Sequence, residues 1–576
     1  MTRARTFSRP LVVTRTWPLL VDVVVLASAV GLVYGLSFVA SRWFSAPVPQ
    51  ADIDRSPTAL PVYAFYSLVR IAAAYLLSLL FALAYGYVAA HEKRAEGLMI
   101  AVLDILQSIP VLSFLPGVML AMVALFPTRQ LGLELGSIVL IFTGQVWNMA
   151  FSFYSSLKAI PRELWEATRV FRFSRWQRFV QLELPYGAIG LVWNSMVSVA
   201  GGWFFLMACE MFQLNRRDFR LPGLGSYLQT AASHGDTRAM LWGLAVMVGV
   251  IVALDQLVWR PVIVWSERFK FEQVETGQTP RSPILALLTR SRALAALRRQ
   301  VLAPLSERLA LHAARWRNEA AVPKPASRLP RAVGWLAASA VTALALYAST
   351  RAGLVLWDIP AAEYGATLRS ALATFLRVLL SLLIATLWAV PAGVAIGSHP
   401  RLARIAQPIA QVAASVPATA LFPIILLAII RVGGGIGAGS IVLMLLGTQW
   451  YILFNVIAGV LAIPTDLREV SDAFRFPSRE RWTTVILPGI FPHLLTGLVT
   501  ASGGAWNASI VAEYFRLRDT TYSTTGLGAQ ISRATDTGNF AQLLLSTLVM
   551  AAMVVTVNRL VWKPLFRLSE RRYRLG

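Results

Sequence analysis

Long apolar runs alternate with short polar joints along the whole chain. The runs lie near 18–41, 63–90, 98–126, 136–157, 186–209 and 238–265, and again near 332–350, 366–397, 404–431, 437–461, 489–512 and 540–562. About 20 consecutive apolar residues carry a helix across the hydrocarbon core. A closed β-barrel is the other spanning solution, but it would show alternating segments of about ten residues. The continuous runs therefore predict an all-α membrane protein with 12 transmembrane helices, six on each side of a polar stretch at 266–331. Composition agrees, with 14% charged residues against about 25% in a soluble domain.

The polar joints set the expected topology. The basic segments are "MTRARTFSRP" at the start, "HEKRA" (91–95), the block 159–185, the stretch 266–331, "HPRLAR" (399–404) and the closing "RLSERRYRLG". Twelve crossings put all of them on one side, which the excess of Lys and Arg makes cytoplasmic, with both termini inside. The net charge of +24 is accounted for in this way, and no nucleic-acid reading motif accompanies it. The single cysteine, Cys209, and five scattered histidines offer no disulfide frame and no metal-ligand spacing.

The chain repeats itself. The block "AIPRELWEATRVFRFSRWQRFVQLELP" (159–185) returns 303 residues later as "AIPTDLREVSDAFRFPSRERWTTVILP" (462–488), with eleven of 27 positions identical. Chance would give about two from ordinary residue frequencies. The same offset carries Trp203 to Trp506, Glu210 to Glu513, and the Gly-Leu-Gly of 223–225 to that of 526–528. Upstream the offset is 307, so that Arg70 matches Arg377 and "SIPVLSFLP" (108–116) matches "SVPATALFP" (415–423); four residues are missing from the second copy between Pro423 and Gly447. Each repeat has an even number of crossings, so the two are parallel, related by an axis along the membrane normal. The expected organisation is a tail, first helix and outer loop at 1–62, a first core at 63–265, a basic linker at 266–331, a seventh span with its outer loop at 332–365, and a second core at 366–576.

The repeated block is a polar loop that an oily chain keeps twice. In "RELWEATRVF", Leu164, Ala167, Thr168 and Phe171 fall at helical spacing with charges between them, which predicts a short amphipathic helix. Packing beneath its own bundle would explain one copy. Two copies at equivalent places favour docking onto a symmetric pair of partners.

At this point the residues resemble a family. Glu-Ala-Ala, three residues, Gly, nine residues, Ile, any residue and Leu-Pro is the coupling-loop signature of membrane subunits of bacterial ABC importers. Glu166-Ala167-Thr168 with Leu182, Leu184 and Pro185 resembles it in the first repeat, and Glu469-Val470-Ser471 with Val485, Leu487 and Pro488 in the second. Both depart in the same way, with Arg172 and Arg475 in place of the glycine, which puts the local bend in question. "FSRWQRF" and the Gly-Leu-Gly loops look most like the nitrate/sulfonate/taurine branch, here fused into one chain. The resemblance implies a type I ABC importer permease fold and a transport subunit rather than an enzyme, set in a bacterial inner membrane. It implies two copies of a separate cytoplasmic ATPase that bind ATP and Mg, and a periplasmic binding protein that delivers a small, anionic solute. Consistently, no GxxxxGK[ST] phosphate loop occurs in the chain. The coupling residues so implied are Leu164, Glu166, Ala167, Phe171 and Arg172, with Leu467, Glu469, Val470, Phe474 and Arg475.

Candidate path residues follow from intramembrane prolines and charges. Pro110 and Pro417 interrupt the third span of each repeat, and broken helices either line cavities or pack as kinks. Glu210 and Glu513 are expected to pair with Arg216 and Arg516, and Arg70 and Arg377 are placed either to pair with these carboxylates or to attract anions. Trp203 and Trp506 are candidates for gate or core. Arg216, Arg217, Arg220, Arg516, Arg518 and Arg533 make the outer loops basic, which suits an anionic solute or an acidic binding protein. Two parallel six-helix halves also describe a secondary active transporter, which predicts midplane charges and no docking helices. A membrane enzyme would need clustered His, Asp or Glu.

Overall fold

In a computed structural model of the chain, the described residues are 17–45, 52–214, 217–269, 283–288, 349–463, 465–517 and 520–572, with scattered positions between 291 and 347. The first repeat and its leading helix comprise α1 (Trp17–Trp43), α2 (Leu60–His91), α3 (Lys93–Ser108), α4 (Leu115–Leu125), α5 (Leu131–Lys158), α6 (Arg162–Val170), α7 (Arg175–Glu210), α8 (Leu224–Ser233) and α9 (Thr237–Ser266). The second comprises α10 (Ala361–Ser398), α11 (Pro400–Ser415), α12 (Ala418–Arg431), α13 (Ile436–Ala462), α14 (Thr465–Ala473), α15 (Ser478–Ala512), α16 (Leu527–Thr537) and α17 (Phe540–Ser569). Every helix from α2 to α9 thus has a partner eight places later.

Nine helices among the described residues are long and apolar enough to cross a membrane, where twelve spans were expected. The expected spans 98–126 and 404–431 are each split into two shorter helices, α3 with α4 and α11 with α12. Pro110 and Pro417 explain the breaks, because proline lacks the N–H that would continue the ladder. The expected span 332–350 lies largely outside the described residues, as does most of the linker 266–331.

Contacts divide the chain into two units. The first consists of 1–42, 156–193 and 253–327. It holds α6 with the start of α7, and Asp22 on α1 accepts a 2.5 Å hydrogen bond from Ser291. The second consists of 43–155, 194–252 and 328–576 and contains the crossing bundle of both repeats. Within it, α2 crosses α5 at Gly86, where an added Cβ would lie 2.9 Å from Phe153 and 3.2 Å from the Tyr154 nitrogen. The equivalent crossing of α10 and α13 uses Gly393 against Val456. Small residues let transmembrane backbones approach closely, and here the same pair of positions serves both repeats.

Two short hairpins follow α7 and α15: β1 (Gln213–Leu214) with β2 (Arg217–Asp218), and β3 (Tyr514–Leu517) with β4 (Thr520–Ser523). Strand β1 packs against α16 and β3 against α8, so each repeat lays its hairpin on the other. Among the described residues no group of His, Cys, Asp and Glu could hold a metal ion.

Candidate functional site: two docking loops and a buried brace

The repeated block ends its first helix in the same way in both copies. Helix α6 runs to Val170, Phe171 caps it, and Arg172 adopts φ 51°; after α14, Phe474 and Arg475 repeat this with φ 49°. Arg172 N donates to the Arg169 carbonyl and Phe173 N to the Thr168 carbonyl, at 3.0 and 2.9 Å. Arg475 N and Phe476 N donate to Asp472 and Ser471 at 3.1 and 3.0 Å. These are the two bonds of a Schellman cap, which needs its left-handed residue and normally takes glycine there. The bend that the missing glycine put in question is therefore kept. Arginine holds it at a cost of about 1 kcal/mol or more from the Cβ clash. Arg172→Gly and Arg475→Gly should accordingly leave the fold intact and stabilise it by up to about 1 kcal/mol, seen as a small rise in the melting temperature of the full chain in detergent.

The cap leaves aromatic side chains facing outward. Phe171 is 73% exposed and Phe474 74% exposed, and each ring lies beside its cap neighbour, Phe173 at 6.3 Å and Phe476 at 6.4 Å. Glu166, Arg172, Glu469 and Arg475 are exposed, as are Leu467 and Val470, whereas Leu164 and Ala167 are half-buried. One further arginine was missed from sequence although it is among the eleven identities. Arg178 donates to Glu183 at 3.1 Å and lies over the Trp165 ring at 5.2 Å, tying α6 to α7. Its counterpart Arg481 donates to Asp472 at 2.8 Å and ties α14 to α15. Each docking helix is thus clamped to the helix that follows it.

The carboxylates predicted near the ends of α7 and α15 pair differently from expectation. Glu210 accepts from Arg70 Nη1 at 2.8 Å, from Ser67 Oγ at 2.7 Å and from Gly225 N at 2.7 Å. Arg70 also grips Glu134 with both remaining nitrogens, at 2.5 and 2.8 Å, and donates to the Pro222 carbonyl at 2.9 Å. In the second repeat Glu513 accepts from Arg377 at 2.8 Å, from Thr374 at 2.8 Å and from Gly528 N at 2.9 Å. Arg377 then turns to Thr524 Oγ1 and the Thr525 carbonyl, because Glu134 has no counterpart. Of the two expected pairings, the one with Arg70 and Arg377 is seen, whereas Arg216 and the Arg516 side chain lie outside the described residues. A buried carboxylate needs a buried cation and saturated lone pairs, and the second and tenth helices bring both. Any side chain at Gly223 or Gly526 would run into the Glu210 or Glu513 carboxyl, which explains the Gly-Leu-Gly turn in each copy.

Four of the path candidates, Arg70, Glu210, Arg377 and Glu513, make these buried contacts. Arg70, Trp203, Glu210, Trp506 and Glu513 are at most 2% exposed and Arg377 is largely enclosed; Trp506 stacks on Phe375 at 6.5 Å. Pro110 and Pro417 are buried at the breaks. The first break is filled by the second repeat: Asn507 accepts from Leu112 N and Thr547 donates to the Ser113 carbonyl, both at 3.4 Å. At the second break a cavity of about 280 Å³ remains, lined by Leu244, Val248, Val416, Ala418, Leu421 and Trp450 among others. The equivalent of Ala418 is Val111 and that of Leu421 is Phe114. Arg220 donates to Thr230 and Arg533 to Ser523, at 2.9 and 3.3 Å. Arg216 and Arg518 lie outside the described residues, as do the side chains of Arg217 and Arg516.

Comparison with known proteins agrees with the duplication. The profile described as binding-protein-dependent transport system inner membrane component matches residues 74–258 and again 385–574. The chain is similar to the taurine transport system permease protein TauC of Escherichia coli, 29% identical over 184 residues, 32% of this chain and 61% of that protein. It is similar to the nitrate import permease protein NrtB of Synechococcus elongatus, 26% identical over 188 residues, 32% and 64% of the two chains. It is also similar to the bicarbonate transport system permease protein CmpB of Synechocystis, 27% identical over 188 residues, 33% and 64%. In each case the match spans less than two thirds of the relative. With both repeats matched, and both carrying the docking block at its end-capped bend, this multi-pass membrane protein belongs to the family of binding-protein-dependent transport inner membrane components.

Proposed function

We propose that the chain is the membrane-spanning subunit of an ATP-driven importer, with both halves of the permease fused into one polypeptide. The observation that carries the reading is the pair of docking loops, each a capped helix with an exposed phenylalanine and clamped to the next helix by Arg178 or Arg481. Exposed aromatics on a rigid amphipathic helix fit an apolar groove on a partner. Two copies of a cytoplasmic ATPase, holding ATP and Mg, would take one loop each. A periplasmic binding protein would deliver the solute on the opposite side of an inner membrane, with both termini in the cytoplasm. Closure of the ATPase pair on ATP would shift the bundle between inward- and outward-facing states through these loops. The transport cores are 63–265 and 366–576, tethered by 266–331 and the span at 332–365.

The names of the relatives, taurine, nitrate and bicarbonate permeases, support a small anionic solute. The test is reconstitution of the full chain in proteoliposomes with a cognate ATPase and binding protein. Uptake of labelled nitrate, taurine or bicarbonate should require ATP and persist after ion gradients are collapsed. Uptake that follows a proton or sodium gradient without ATP would identify a secondary active transporter instead.

A further inference from the structure

A second set of buried polar groups, distinct from the arginine–glutamate brace, lies in the crossing bundle. Gln145 on α5 is fully buried and neither its Oε1 nor its Nε2 has a hydrogen-bond partner. Ser198 on α7 is 2% exposed with an unpartnered hydroxyl. A fully enclosed amide with no protein partner forfeits about 1–3 kcal/mol, which marks it as a group free to hydrogen-bond a solute.

Glycines open the space around them. Gly202, one helical turn beyond Ser198, is the position against which the Gln145 amide is pressed, and any side chain there would displace it. The next-door Gly201 faces the second repeat: an added Cβ would lie 3.6 Å from the Tyr451 hydroxyl. Gly504, the repeat equivalent of Gly201, faces the same ring, 3.7 Å from its Cε2. A ring touched by two equivalent glycines stands close to the axis that relates the repeats. The Tyr451 hydroxyl is half-buried and makes no hydrogen bond among the described residues.

The mirror location is closed. Ser198 corresponds to Ala501, Gly202 to Ala505 and Tyr451 to Asn148; Gln145 corresponds to Thr448, whose hydroxyl is already bonded to the Met444 carbonyl at 2.7 Å. The unpartnered Gln145 amide and Ser198 hydroxyl therefore have no equivalent in the second repeat. No formally charged residue lies on α5 between 135 and 157, on α7 between 184 and 209, or anywhere on α13.

We propose that Gln145, Ser198 and Tyr451 form a single, uncharged oxyanion subsite on the axis of the bundle, which a small anion crosses by hydrogen bonding to the amide and the two hydroxyls. The inference rests on the import reading and names where the solute passes. Neutral donors suit a path, since a fixed cation would hold the anion too tightly to release it. Placement near the axis gives one subsite per chain, shared by both repeats.

The experiment has two arms. In proteoliposomes with ATPase and binding protein, Tyr451→Phe and Ser198→Ala should each lower ATP-driven uptake of the imported anion, tested with nitrate, taurine and bicarbonate, by about tenfold, the equivalent of one hydrogen bond of about 1.4 kcal/mol. Ala501→Ser at the mirror position, outside the subsite, should leave uptake unchanged. Unchanged uptake in both variants overturns the subsite while leaving the import reading intact; absence of uptake by the unaltered complex counts against the import reading. The second arm needs no solute. Ser198→Cys and Tyr451→Cys are exposed to sulfonate-bearing and trimethylammonium-bearing methanethiosulfonates during ATP turnover, each rate being normalised to that with a free thiol. The native Cys209 is fully buried and serves as the unreactive background. The anionic reagent should react at least about tenfold faster; equal or faster reaction of the cationic one, or no reaction at either cysteine, overturns the proposal.

Discussion

Arg70→Met is expected to destabilise the chain by about 3–5 kcal/mol, the range for stranding the partners of a buried ion pair. The change leaves two carboxylates, Glu134 and Glu210, at 3% and 0% side-chain exposure without their cation. Arg377→Met should cost clearly less. It strands only Glu513, which keeps Thr374 and Gly528 N as donors, and its site is already 16% open at the arginine. Unfolding of the full chain in detergent, followed by temperature or denaturant, measures both. Combining Arg70→Met with Glu134→Gln and Glu210→Gln should recover much of the loss, since neutral amides do not carry the desolvation penalty of an ion. Equal losses at Arg70 and Arg377 would show that Glu134 contributes nothing to the brace.

The second large effect concerns the partner rather than the fold. Phe171→Asp together with Phe474→Asp should abolish copurification of the ATPase, a loss of at least about 2 kcal/mol at each anchor if they behave as buried interface aromatics. The melting temperature of the chain itself should hardly move, because exposed positions seldom change stability by more than about 0.5 kcal/mol. Retention of the ATPase by the double variant would remove the docking role from these rings. A matched loss of stability would mean that they pack within the chain after all.

The docking loops and the brace differ in how far they could be read from residues. The loops were legible because each is local: helix, cap and clamp lie within 27 consecutive residues, and a second copy marks the positions that matter. Even the bend survives a change of residue type, since the hydrogen bonds of the cap are made by backbone and not by the Arg172 or Arg475 side chain. The brace was legible only in part. Sequence left Glu210 and Glu513 between nearby Arg216 and Arg516 and the distant Arg70 and Arg377, which stand 140 and 136 residues away and are the partners observed. Glu134 is invisible to the repeat comparison, having no counterpart in the second copy.

The sequence by itself determined the membrane class, the duplication, the order of helices and the two repeated amphipathic blocks, because these follow from hydrophobic run length and from local hydrogen bonding. Only the tertiary structure decided which buried charges meet, what packs against each proline break, and which polar side chains remain without partners. Those outcomes depend on helices brought together across the bundle, where a single side chain such as Phe114 against Leu421, or Glu134 against its missing equivalent, separates two halves that the sequence presents as alike.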